Sequence, residues 1–184
     1  MRIISGDMKG RKLYPIAGRS IRPTADRLRE SLFNILADRV RGATVLDLFA
    51  GTGALGIEAI SRGAEFALFL DKHKQAVSLI ERNIHMCAIE GKAQVIQWDV
   101  IRNLNCVRSS QHSFDIVFMD PPYNINAIKA VLYNLHHSQC LETGATIVAE
   151  HSTLEPIPDK HPAFSIQHQR TYGKTLVSFL QYMV

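Results

Sequence analysis

From Ala43 onward, short dense apolar runs alternate with longer stretches in which apolar positions recur at helical spacing. Thr44–Phe49, Phe66–Asp71, Gln94–Trp98, Phe114–Met119 and Thr146–Glu150 read as strands buried on both faces. Between them, Ala54–Ser61, His73–Glu90 and a segment from about Ile125 to His137 read as helices. In the second of these the stripe is Ala76, Leu79, Ile80, Ile84 and Cys87, with Gly91 as its stop. Strand-helix alternation implies parallel pairing through right-handed crossovers, so the predicted fold class is α/β with helices on both faces of one sheet.

The two ends break this rhythm. Arg2–Ser5 and Lys12–Pro15 read as short extended pieces around turn material at Gly6–Gly10. Arg22-Pro23-Thr24 announces a helix, with Thr24 as its cap and Leu28, Leu32, Ile35, Leu36 and Val40 on one face. At the other end, Pro156, Pro158 and Pro162 mark a loop. Ser165–Thr171 and Thr175–Tyr182 around Tyr172-Gly173-Lys174 then predict an antiparallel hairpin.

With 184 residues, 46% of them hydrophobic and 21% charged, the chain is expected to form a single domain with a full core. Residues 1–41 would be a basic extension and 42–184 the core. The longest apolar run, Phe66–Leu70, is far too short to span a membrane. Met1–Asp7 lacks the apolar stretch of a signal peptide, so a cytoplasmic protein is expected. Cys87, Cys106 and Cys140 lie outside metal-ligand spacing of one another, so reduced thiols and no metal are expected. Residues 1–41 hold ten Lys or Arg against four acids, while the rest carries 11 basic and 13 acidic residues. A basic arm beside a near-neutral body points to a polyanion such as nucleic acid, with a merely solvated surface as the alternative.

Asp47-Leu48-Phe49-Ala50-Gly51-Thr52-Gly53-Ala54-Leu55-Gly56 runs from strand to helix through a formal G-x-G-x-x-G turn. That fingerprint raises a nicotinamide or flavin enzyme. Asp47, however, stands where a diphosphate would have to bind, and its carboxylate would repel it. S-adenosylmethionine, with a sulfonium, an ammonium and no phosphate, matches better. Asp71, followed by Lys72, is placed to hold ribose hydroxyls, and Asp99 could accept from the adenine amine beside an apolar wall at Val100.

Asp120-Pro121-Pro122-Tyr123 follows the fourth strand of the core, at the same edge as the glycine turn. A carboxylate and a proline-stiffened carbonyl can accept both hydrogens of an exocyclic base amine, whose lone pair is otherwise delocalised into the ring. Tyr123 offers a face on which an extruded base can stack. The tetrapeptide suits any such amine, so guanine and adenine are not distinguished by this chemistry.

Taken together, these motifs resemble the S-adenosylmethionine-dependent amino methyltransferases with a [D/N]-P-P-[Y/F] signature, and the whole chain resembles the RsmD family of 16S rRNA guanine-N2 methyltransferases. Arg2-Ile3-Ile4-Ser5-Gly6, Lys9-Gly10-Arg11-Lys12-Leu13, Arg22-Pro23-Thr24, Leu32-Phe33-Asn34, Ser61-Arg62-Gly63-Ala64 and Tyr172-Gly173-Lys174 carry that likeness beside the glycine and proline motifs. Thr52 is a mild departure, standing where many relatives have serine. The resemblance implies a Rossmann-like seven-stranded sheet, mostly parallel, with a C-terminal antiparallel hairpin. It further implies a monomer acting on 16S rRNA in a small-subunit assembly intermediate. On this reading Asp120, Pro121, Pro122 and Tyr123 are catalytic. Asp47, Phe49, Ala50, Gly51, Thr52, Gly53, Asp71, Lys72, Asp99 and Val100 hold the cofactor, and Lys9, Arg11, Lys12, Arg22, Thr24 and Arg27 meet RNA. A DNA adenine-N6 methyltransferase and a non-catalytic RNA-binding assembly factor are the alternatives.

Overall fold

The computed structural model describes residues 1–16, 23–108, 112–122, 127–155, 157, 162–173 and 175–184, with the side chains of 23–25 outside the description. Seven strands form one sheet in the order β3-β2-β1-β4-β5-β7-β6. Strands β1 (Thr44–Leu48), β2 (Phe66–Asp71), β3 (Ala93–Gln97), β4 (Phe114–Met119) and β5 (Leu141–Ser152) are parallel. β6 (Phe164–Tyr172) and β7 (Thr175–Tyr182) close the sheet as an antiparallel hairpin, β7 pairing with β5. The strand order reverses between β1 and β4, so the loops leaving these two strands diverge and open a crevice at their carboxyl ends.

Side-chain alternation divides the core. Val45, Ala67, Phe69, Ile116, Phe118 and Val148 face one layer, built from α1 (Pro23–Leu36), α2 (Ala54–Ser61) and α3 (Lys74–Cys87). Leu46, Leu70, Val117, Met119 and Ile147 face the other, built from α4 (Asn105–Arg108) and α5 (Ala127–Ser138). No described helix is long and apolar enough to cross a membrane.

Several boundaries differ from the sequence expectation, each for a local reason. α1 begins at Pro23, where a missing amide costs nothing, so Thr24 falls in the first turn and is not the cap. α3 ends at Cys87 because Ala88 turns left-handed at φ 55°, three residues before Gly91. Phe49 leaves β1 at φ 60°, which ends the strand one residue early. β5 begins at Leu141, five residues before the predicted start, along a stretch containing exposed Glu142 and Thr143. The two N-terminal extended pieces form no strand, only the single bridge Arg2↔Lys12. The Pro156 and Pro158 loop positions, the predicted helix start near Ile125, and Lys174 lie outside the described residues.

What anchors the N-terminal arm is α2. Glu58, fully buried, accepts from the Ile4 and Ser5 amides at 2.8 and 3.0 Å and pairs with Arg62 at 2.8 Å and Arg29 at 3.6 Å. Ser61 donates to the Ser5 carbonyl and accepts from the Met8 amide, while its carbonyl takes the Asp7 amide. Gly6 is required at this approach: a Cβ there would lie 1.7 Å from the Ser61 carbonyl oxygen. Further along the arm, Asn83 of α3 accepts from the Tyr14 amide at 2.8 Å. Its side-chain amide donates to the carbonyls of Tyr14 at 3.2 Å and Thr52 at 2.9 Å. One buried side chain therefore ties the arm to the glycine turn.

Candidate active site

Register places the acids. Leu48 pairs with Leu70 on one side and Met119 on the other, so the residues that follow, Asp71 and Asp120, flank the exit of β1 on its two neighbours. Asp47, Asp71 and Asp120 also occupy alternate positions that continue the Val45, Phe69 and Phe118 face. Asp120 is exposed, Pro121 buried and Pro122 exposed. Tyr123 lies outside the described residues.

The turn between β1 and α2 is built for close approach. Phe49 adopts a left-handed conformation that is uncommon without glycine and turns its ring toward the α5 layer. The Ala50 amide donates to the Leu70 carbonyl at 3.0 Å, and Gly53 closes the turn by donating to Ala50 at 2.7 Å. Gly53 sits at φ 75°, and a Cβ there would press within 3.2 Å of Ile80 and 3.3 Å of Ile57. Gly51 also has positive φ, and a Cβ on it would make ordinary contacts with the Phe49 carbonyl at 3.8 Å and Ile16 at 3.9 Å, so its backbone conformation and not crowding is what favours glycine there.

Asp47 is 2% exposed and accepts from the Gly56 amide at 2.9 Å. Burial pushes its carboxyl up to about 8, with Asp120 and Asp71 adding to the rise and the Gly56 amide opposing it. The folded protein keeps this proton to about pH 8, whereas the unperturbed group loses it near 3.8. Asp47 therefore favours folding fully below pH 3.8, and that contribution is lost as pH rises through about 8. The register of β1 and β4 puts the acid of the proline motif on the same rim as the glycine turn, and its charge adds to the resistance of Asp47 to ionisation.

Asp71 is committed to the protein as well as to the rim. One carboxylate oxygen accepts from the Gly51 amide at 3.0 Å and the other from the His73 amide at 2.9 Å, which leaves a second lone pair on each. Lys72 is exposed, and its carbonyl accepts from Gln97. Asp99 is half-buried and accepts from the Ile101 amide at 3.2 Å. Val100 differs from the expected apolar wall: at 2% exposure it is packed into the α5 layer, and its carbonyl accepts from Asn134. Thr52, 9% exposed, contributes its carbonyl to Asn83. Among the described residues, no group of three or more His, Cys, Asp or Glu is arranged to hold a metal ion.

The basic residues separate into two places. Lys9 and Lys12 are exposed on the arm, with Lys9 directly after Asp7 and Met8, whose amides bond Ser61 at the foot of α2. Eight helical residues make that foot about 12 Å from the rim. Arg11 is spent otherwise than expected: its guanidinium donates to the Met86 and Cys87 carbonyls at 3.3 and 3.0 Å, capping the C-terminus of α3. Arg27 is exposed on α1, one turn before Ser31, whose hydroxyl meets the Tyr172 hydroxyl at 2.6 Å near the β6–β7 turn. Arg22 and the side chain of Thr24 lie outside the described residues. Glu58 and Asn83 were not singled out from the sequence. Asn83 had a signal, since it sits on the buried stripe of α3 between Ile80 and Cys87 where a polar residue needs a partner.

A family model described as "Conserved hypothetical protein 95" matches residues 1–181. "Ribosomal RNA small subunit methyltransferase D" of Escherichia coli (strain K12) is 32% identical over 98% of this chain and 89% of its own length. The chain belongs to the RsmD family. A second relative, "Putative rRNA methyltransferase YlbH" of Bacillus subtilis (strain 168), is 39% identical over 97% of both chains. The solved structure of "Putative methyltransferase yhhF" from Escherichia coli superposes with a TM-score of 0.86 at 30% identity, covering 100% of this chain and 98% of that one. The sheet order and the hairpin end described above are therefore a methyltransferase fold of the RsmD family.

Proposed function

We propose that this protein transfers a methyl group from S-adenosylmethionine to the exocyclic N2 of a guanine in 16S rRNA, as a cytoplasmic monomer acting on a small-subunit assembly intermediate. The observation that carries the reading is the register that brings Asp71 and Asp120 to either side of the β1 exit, where the glycine turn begins. The names of its RsmD relatives supply the rRNA substrate class.

The residues present fit this cofactor. Asp71 and Asp120 at one end of the sheet favour a sulfonium and an ammonium over a diphosphate, and Asp47 adds its charge once a cation ionises it. Asp47 and the Gly51–Gly53 backbone would hold the amino-acid end, Asp71 the ribose and Asp99 the adenine. When bound, the cofactor supplies an electrophilic methyl group on a cationic sulfur. Asp120 and the Pro121 carbonyl accept the two amine hydrogens, aiming the nitrogen lone pair along the displacement axis. Asp120, hydrogen-bonded to the amine, would take or pass to solvent the proton that the nitrogen must lose after methylation. Tyr123 stacks the extruded base. Exposed Lys9, Lys12 and Arg27 would meet RNA phosphates, together with Arg22 and Thr24. Arg11 can add only the charge that α3 leaves available.

The cofactor's ammonium should ionise Asp47. Calorimetry at pH 7 in two buffers of different ionisation enthalpy is expected to show about one more proton released on cofactor binding by the wild type than by Asp47→Asn. Equal release by the two proteins would remove Asp47 from contact with the charge.

To test the activity, small subunits and, in a parallel reaction, chromosomal DNA from cells lacking the gene are incubated with tritiated-methyl cofactor and their nucleosides resolved by mass spectrometry. N2-methylguanosine in 16S rRNA is the expected product. N6-methyladenine in DNA, or no transfer to either, would replace this reading with one of its alternatives.

A further inference from the structure

Asp120 and the Pro121 carbonyl grip an amine but do not say which base carries it. The neighbouring strand supplies a candidate for that choice. β5 pairs with β4 in a register that sets Ala149 against Met119, so the next residues, Glu150 and Asp120, stand side by side at the carboxyl rim. Val148 shares the α1–α3 face with Phe118, and two residues further on each strand this alternation brings Glu150 and Asp120 to that same face. Neighbouring strands run about 4.8 Å apart, so the two residues leave the sheet next to each other. Glu150 is half-buried, and its backbone is held from the other side by pairing with Val177 of β7.

Two acids side by side at the rim present a row of hydrogen-bond acceptors, which matches a ligand edge that carries several donors. Of the four RNA bases, only guanine presents a ring N–H flanked by an exocyclic amine, three hydrogens along one edge. Adenine and cytosine place a lone pair where guanine has N1–H, and a carboxylate would repel it.

We infer that Glu150 is the base-selecting residue, its carboxylate accepting the N1–H of the target guanine while Asp120 and Pro121 hold N2. This rests on the activity proposed above and adds the basis of its specificity. Glu150 need not take the proton lost from N2, so it is assigned to selection and orientation, and the chemical step stays with Asp120.

The test uses full-length protein and reconstituted small subunits in which the methylated nucleotide, once located, is guanosine or 2-aminopurine. The analogue keeps the C2 amine but has an acceptor at N1. Wild type is expected to favour guanosine by about 100-fold in kcat/KM, the scale at which a site built for an N–H rejects a base lacking it. Glu150→Gln keeps a carbonyl acceptor for N1–H and gains an N–H that can donate to N1 of 2-aminopurine, so it should lose about tenfold on guanosine and little or none on 2-aminopurine. The preference between the two substrates should then shrink to about tenfold or less. Glu150→Ala should narrow the ratio too, by losing the guanosine preference alone. Both variants should bind S-adenosylhomocysteine within twofold of wild type, which separates selection from misfolding. A Glu150→Gln enzyme that keeps the wild-type ratio, or that loses both substrates in equal proportion, would overturn the assignment and leave the methyltransferase reading standing. Failure of the wild type to make N2-methylguanosine at all would overturn that reading, and this one with it.

Discussion

Asp120→Ala should lower kcat by about 10²–10³-fold, the scale of losing one preorganised group that stabilises developing charge. KM for the cofactor should stay within a factor of about three, because Asp120 faces the amine and the glycine turn is held independently by Asp71 and Asn83. Asp120→Asn retains one carbonyl acceptor and should lose only about tenfold. A side effect gives an internal control. Since Asp120 helps to keep Asp47 protonated, its removal should lower the Asp47 carboxyl and diminish the proton release on cofactor binding. Single-turnover rates with saturating cofactor are the decisive measurement, and an alanine variant within fivefold of wild type would take Asp120 out of the mechanism.

Glu58→Ala should destabilise the protein by about 3–5 kcal/mol, an effect far larger than any surface charge would give. Glu58 is fully buried and Arg29 is 5% exposed. Burial holds the Arg29 guanidinium below its ordinary range, with Glu58 and Asp26 opposing that fall. Removing Glu58 leaves that cation with Asp26 at 3.1 Å and the Arg2 carbonyl, and strips the Ile4 and Ser5 amides of their acceptor. Urea unfolding at pH 7 measures the loss. Combining Glu58→Ala with Arg29→Met should cost less than the sum of the two single changes, because the pair is coupled through desolvation. A single-variant loss under about 1 kcal/mol would mean that water fills the gap and that the ion pair contributes little.

The central sheet was legible because buried parallel strands are apolar on both faces, and Phe66–Leu70 or Ile116–Met119 can be little else. The rim was legible for a related reason: an acid directly after such a strand, as at Asp71 and Asp120, must emerge at its carboxyl end. Extension of β5 down to Leu141 was hidden, since Glu142, Thr143 and Gly144 carry no strand pattern and their pairing follows a register shift in β4 between Phe114 and Ile116. The four residues of α4 are too few for periodicity. Arg11 shows the limit for charge: its composition is that of a phosphate ligand, and only the fold reveals that the last carbonyls of α3 claim it first. Glu58 was hidden in another way, since an acid inside the otherwise apolar run Leu55–Ile60 gives no hint of which backbone it will hold. For the same reason Val100, read as a wall, proved to be core.

Asn83 joins Tyr14 to Thr52 across a sequence separation of 69 residues on one side and 31 on the other, and Glu58 reaches back 54 residues to Ile4. During synthesis, residues 4–14 emerge long before the side chains that fasten them, so they must wait unfastened until α2 and most of α3 have left the ribosome. The arm is therefore a late-settling part of the nascent chain despite being early in its order of appearance. The glycine turn acquires its Thr52 tether at the same moment, which makes ligand competence a late event in maturation.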